Sequence, residues 1–108
     1  MFVKAYRYRL RPNCWDEYVA IQAQASAVYR RFIDYHAVYL RNNQDPNQIT
    51  ELDFFPDEES YNTAIKSVNK EPLIDSLFAR FRDLLADGTE IDAEEYTRIL
   101  FDPRSGPM

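Results

Sequence analysis

His36 is the only histidine among 108 residues, and an imidazole is the natural base near neutral pH. At a ligand pocket it takes a proton from a bound phenol or quinol, and the resulting anion passes electrons to oxygen. The plainer reading is a histidine packed or solvated on a strand. Arg7 and Arg9 share one side of a strand pattern, and guanidinium groups stabilise developing oxyanions. Arg9 is thus a second catalytic candidate and Arg7 a substrate-binding one. Their competing role is to pair with Glu51, Asp53 or Glu95 as structural ions. Tyr6 and Tyr39, with Tyr8 and Tyr35, offer aromatic surfaces for a flat ligand, and Phe55 adds another. Such rings equally serve as sheet core with a hydroxyl at its edge. Glu51 and Asp53, two apart on a strand, bring too few ligands for a metal site. Cys14, beside Trp15, has no partner base in the sequence and reads as an inert thiol.

These groups sit on a short list of elements. Phe2, Tyr6, Tyr8 and Leu10 alternate with Val3, Ala5, Arg7, Arg9 and Arg11, the pattern of a first strand ending at Pro12. A helix follows from about Cys14 to Ile33, with Asn13 as N-cap and a stripe of Tyr18, Ile21, Ala25, Val28 and Phe32. Strands at about 34–41 and 48–55 flank the turn-forming run Asn42 to Asn47. On the earlier strand Tyr35, Ala37 and Tyr39 alternate with His36, Val38 and Leu40, so His36 and the tyrosines cannot face one cavity. Asp57 and two glutamates open a second helical region. Pro72 restarts it ahead of the stripe Leu73, Ile74, Leu77, Phe78, Phe81 and Leu84. Asp87 and Gly88 stop it, and a last strand runs from about 91 to 101.

Strand, helix, strand, strand, helix, strand is the split βαβ order of an α+β, ferredoxin-like domain with a four-stranded antiparallel sheet. It fills residues 1–101, leaving 102–108 as a flexible tail. Apolar residues make up 45% of the chain, enough for a core. Two glycines leave no phosphate cradle, and a net charge of −5 disfavours nucleic acid as a partner. No run reaches the ~20 apolar residues of a membrane span, and the chain opens directly on a strand pattern, so a cytoplasmic location is expected.

Both long connections of this fold lie on one side of the sheet. The open side is expected to carry Val3, Ala5, Ile49, Phe55, Ile91, Ile99 and Phe101 together with Arg7, Arg9, Glu51, Asp53 and Glu95. Each large apolar side chain left wet forgoes about 1.5–3 kcal/mol. A homodimer that stacks two open faces covers them and encloses a partly polar chamber.

The run Tyr8-Arg9-Leu10-Arg11-Pro12-Asn13, leaving the first strand, and Leu52-Asp53-Phe54-Phe55-Pro56-Asp57-Glu58-Glu59-Ser60-Tyr61, joining a strand to a helix, resemble the dimeric α+β barrel group. Within it the chain resembles in particular antibiotic biosynthesis monooxygenase-like domains, over about residues 2–101. That resemblance implies a dimeric α+β barrel and a monooxygenase-like enzyme that oxidises a small aromatic or polycyclic compound without a bound cofactor. The haem-degrading branch uses an asparagine on the first strand, a tryptophan ending the third and a histidine in the next helix. Tyr6, Phe55 and Ile65 stand at those places, which argues against haem. The alternative from another class is a non-catalytic dimer that binds a ligand or acts as an accessory protein.

Overall fold

A computed structural model describes residues 1–100. Phe101 and the expected tail at 102–108 lie outside the described residues. The elements are β1 (Phe2–Arg9), α1 (Trp15–Arg30), β2 (His36–Arg41), β3 (Gln48–Phe55), α2 (Glu58–Val68), α3 (Pro72–Asp83) and β4 (Asp92–Thr97). The sheet has the order β2-β3-β1-β4 and every pairing is antiparallel. The fold is α+β and ferredoxin-like in type, as the element order predicts.

Local chemistry explains most of the boundaries. Asp57 caps α2 by accepting from the Ser60 amide at 2.7 Å. Pro72 occupies the first turn of α3, where its missing N–H leaves no donor unpaired. The cap of α1 differs from expectation. Asn13 adopts φ = 62°, a left-handed turn that asparagine tolerates, and Cys14 takes the N-cap position without a side-chain hydrogen bond. Beyond α3 the chain turns back along the end of β1. The Arg11 amide donates to the Leu84 carbonyl at 2.7 Å and the Ala86 amide to the Arg9 carbonyl at 2.9 Å. Gly88, at φ = 75°, then lets the chain swing into β4.

The register decides which side chains meet the helices. Tyr8 pairs with Ile49, Tyr6 with Glu51, Lys4 with Asp53 and Phe2 with Phe55. Residues directly opposite in an antiparallel pair share a face. Tyr8, Ile49, Phe2 and Phe55 are all buried beneath the helices, so Glu51 and Asp53 lie on that side as well. This corrects the expected assignment of β3. Alternation separates its two sets of residues, but Ile49, Glu51, Asp53 and Phe55 face the helices and Thr50, Leu52 and Phe54 face away. The last strand is corrected in the same way. Glu95 pairs with Lys4 on the helix side, and Ile91, just before β4, packs against the core. Ile99 lies beyond β4 and is 96% exposed.

The assignment of β2 stands, with Tyr35, Ala37 and Tyr39 inward and His36, Val38 and Leu40 outward. One core cluster joins Tyr8, Tyr18, Ile21, Ile49, Leu77 and Phe81, and a second joins Phe2, Tyr35 and Phe55.

Candidate functional site

Between these clusters the helices do not close on the sheet. The gap is a cavity of about 330 Å³, at the lower end of the roughly 300–1,000 Å³ typical of small-molecule sites. Its floor is sheet: Tyr6 and Tyr8 from β1, Tyr39 from β2, Glu51 and Asp53 from β3. Ile21, Gln22, Ala25 and Tyr29 of α1 form one wall, and Ile74, Leu77, Phe78 and Phe81 of α3 form another. Phe78 is 49% exposed although it lines the cavity, which puts it at the mouth. No lysine, arginine or histidine is among the described lining residues.

The polar groups of this chamber are ordered around β3. Tyr8 donates from its hydroxyl to Glu51 Oε1 at 2.9 Å, and the Tyr8 and Tyr18 hydroxyls are 2.6 Å apart. Tyr39 donates to Gln22 at 3.2 Å. Asp53 is only 9% exposed, and its Oδ1 has no hydrogen-bond partner. Lys4, its partner across the ladder, is engaged elsewhere: Nζ lies 3.2 Å from the Tyr61 hydroxyl and 3.6 Å from Glu95.

Burial governs the protonation states. Desolvation raises the phenols of Tyr6, Tyr8, Tyr29 and Tyr39 above the ordinary tyrosine value, and the acidic residues nearby push the same way. All four are therefore neutral donors at physiological pH. Desolvation also raises Glu51, while its interactions with Asp53 and Tyr8 oppose the rise. Asp53 is pushed up to about 9, first by burial and then by the negative charge of Glu51, with Lys4 pulling weakly the other way. Burial thus pushes both carboxyls of the pair upward, with Asp53 raised further by its neighbour.

The residues singled out in sequence divide between the two faces. Tyr6 and Tyr39 line the cavity. Phe55 is 1% exposed, stacks on Tyr35 at 5.4 Å between ring centroids and belongs to the second core cluster rather than the cavity wall. Arg7, Arg9 and His36 lie on the opposite, open face and are not brought to the cavity. His36 stacks on Phe54, with ring centroids 4.7 Å apart. The expected pairing of Arg7 and Arg9 with Glu51, Asp53 or Glu95 is absent, because those acids project from the other face. Arg9 pairs instead with Asp45 in the β2–β3 turn, and Arg7 sits opposite Asp92 in the β1–β4 ladder. Cys14 is an unactivated thiol: burial raises it, and Sγ donates to the Arg11 carbonyl at 3.0 Å. Among the described residues no three His, Cys, Asp or Glu side chains cluster in a way that could hold a metal ion, and no helix is long and apolar enough to cross a membrane.

The inward carboxylates are what sequence reasoning assigned to the wrong side. The local pattern carries no signal that separates the faces, since Ile49 and Phe55 share one with the acids while Leu52 and Phe54 occupy the other.

A ferredoxin-like sheet roofed by helices recurs among solved structures. The chain has the fold of antibiotic biosynthesis monooxygenase-like domains. It superposes on SnoaB, a cofactor-independent oxygenase from Streptomyces nogalater, with a TM-score of 0.72 at 14% identity, over 94% of this chain and 96% of that one. An uncharacterized NIPSNAP domain protein from Burkholderia xenovorans gives 0.73 at 12% identity, over 95% and 99% of the two chains. A protein described as an antibiotic biosynthesis monooxygenase from Chloroflexus aurantiacus gives 0.65 at 18%, over 94% and 95%. Identities this low establish the fold alone. No protein-family model matches the chain, and no curated protein matches it in sequence.

Proposed function

We propose that this domain is a cofactor-independent oxygenase acting on a small uncharged aromatic that carries a phenol or a ring ketone. The observation that carries this reading is the pair Glu51 and Asp53 in the floor of a chamber that is aromatic and aliphatic apart from them and Gln22. A base within a mostly apolar pocket abstracts a proton from a substrate whose anion is delocalised over fused rings. For an anthrone-type substrate, Glu51 takes a proton from the ring methylene. The carbanion gives one electron to dioxygen, and the radical pair combines to a peroxide at that carbon. Loss of the second hydrogen as the O–O bond breaks leaves a carbonyl on the ring and releases water. Both electron pairs come from the substrate and dioxygen is the oxidant. Tyr6 and Tyr39 supply ring faces to the bound aromatic. The fold shared with an oxygenase of this type supports the reading.

The reading includes a homodimer through the open sheet face. That face carries Val3, Leu52 and Phe54 beside the more exposed Val38 and Leu40, an apolar patch of the kind that marks association. Arg7 lies opposite Asp92 and two residue pairs from Glu94's position in the ladder, so opposite charges are available where two copies would meet.

Oxygen uptake with a panel of anthrones and quinols tests the enzyme. Uptake above the uncatalysed rate is expected for wild type, with a loss of at least about 100-fold in Glu51→Gln, the scale of a removed general base. Ligand binding without oxygen uptake by any member would favour the non-catalytic alternative.

A further inference from the structure

We propose that Asp53 is the proton-carrying member of the carboxyl pair, the donor to a ligand oxygen in the chamber, and that Tyr8 and Tyr18 are positioning residues that hold the negative charge on Glu51. The proposal deepens the oxygenase reading and rests on it only for the identity of the ligand.

A hydroxyl has one proton to give. Tyr8 gives its proton to Glu51 Oε1 at 2.9 Å. The 2.6 Å contact between Tyr8 and Tyr18 must then use the proton of Tyr18. The result is a directed chain, Tyr18 to Tyr8 to Glu51, ending on a carboxylate oxygen. Donation to an ionised acceptor is the stronger arrangement, so the chain favours charge on Glu51.

Asp53 has the opposite environment. Its side chain is nine-tenths buried, it lines the chamber and its Oδ1 has no partner. An ionised carboxylate in that position would leave a charge without donors beside a second charge. A neutral carboxyl group needs only an acceptor for its proton: Glu51 serves in the ligand-free chain, and a bound carbonyl or phenol oxygen is another.

The other elements leave this balance in place. From β1 Asp53 meets Tyr6 and Lys4, whose ammonium is shared with Tyr61 and Glu95. Tyr29 of α1 and Tyr39 of β2 bring neutral phenols, and α3 brings only apolar side chains to the chamber. Anionic ligands would meet the charge of Glu51 with no cation among the described lining residues, so the chamber selects uncharged ones.

Carbon-13 NMR of the ligand-free full chain, labelled at the Asp and Glu carboxyls, places the proton directly. Asp53→Asn and Glu51→Gln assign the two signals. The expected result is a protonated Asp53 and an ionised Glu51 at pH 7. Tyr8→Phe should lower the Asp53 midpoint and raise that of Glu51 by about one pH unit each, the effect of one lost hydrogen bond to the charged form. Tyr18→Phe should move both midpoints the same way by less. An ionised Asp53 at pH 7, or midpoints unmoved by Tyr8→Phe, would overturn the proposal. Because the titration needs no ligand, it places the proton whether or not any anthrone binds.

Discussion

Tyr6 faces Glu51 across the β1–β3 ladder, yet it is Tyr8, the next inward residue of β1, whose hydroxyl reaches Glu51 Oε1 at 2.9 Å. The diagonal contact leaves the Tyr6 ring free to line the chamber and ties the carboxylate to the buried core. A hydrogen bond to a charged group is worth about 1.5–3 kcal/mol. Tyr8→Phe keeps the ring but removes both that bond and the one Tyr8 accepts from Tyr18, so it should lower the unfolding free energy by at least about this amount at pH 7. Urea titration reads the loss as a lower midpoint with an unchanged slope.

Asp53 gives the protein a pH dependence of defined sign. Its carboxyl is raised from the ordinary aspartate range to about 9 in the fold. Between those values the unfolded chain has lost the proton and the native chain still holds it, so stability falls as pH rises. The contribution is fully present below about pH 4, declines through the interval and is gone above the folded value of about 9. Asp53→Asn cannot ionise. It should flatten the decline, and thermal melts should show it more stable than wild type at pH 8, with the difference shrinking toward pH 4. A wild-type melting temperature as steep as that of Asp53→Asn over this range would contradict the assignment.

Element order was legible because periodicity and punctuation agree: Pro12, the Asn42–Asn47 cluster, Asp57 and Pro72 fall at or beside the observed boundaries. Strand faces were harder. On β2 the tyrosines and His36 separate cleanly. On β3 both sets hold large apolar residues, and the acids in one set argue for solvent by ordinary solvation logic. Only the pairing of Tyr8 with Ile49 resolves the choice, and a long-range register leaves no trace in a local pattern. The carboxyl pair of the chamber was therefore visible as residues and invisible as a site.

Phe54 offers a test of assembly that leaves the chamber alone. It lies on the open face, stacked against His36, and no cavity-lining residue depends on it. If two copies meet through this face, Phe54→Asp places a charge in each half of an apolar contact, with several kcal/mol of desolvation to overcome. Sedimentation equilibrium at micromolar concentration should find dimer for wild type and monomer for Phe54→Asp, with circular dichroism unchanged. A wild-type monomer would remove the dimer from the functional reading.

The division of the two faces sets the final expectation. His36 and Arg9 stand on the open side, one stacked on Phe54 and the other paired with Asp45, with the sheet between them and the chamber. Chemistry carried by Glu51 and Asp53 does not call on either. With whichever anthrone or quinol proves active, His36→Ala and Arg9→Ala should keep kcat/KM within about threefold of wild type, well under the roughly 10²-fold loss of a general base. Asp53→Leu, which removes the donor and keeps the volume, should lower kcat/KM by about tenfold or more, the effect of about 1.4 kcal/mol lost from one hydrogen bond. The reverse pattern, with His36→Ala inactive and Asp53→Leu unaffected, would move the chemistry to the open face of the sheet.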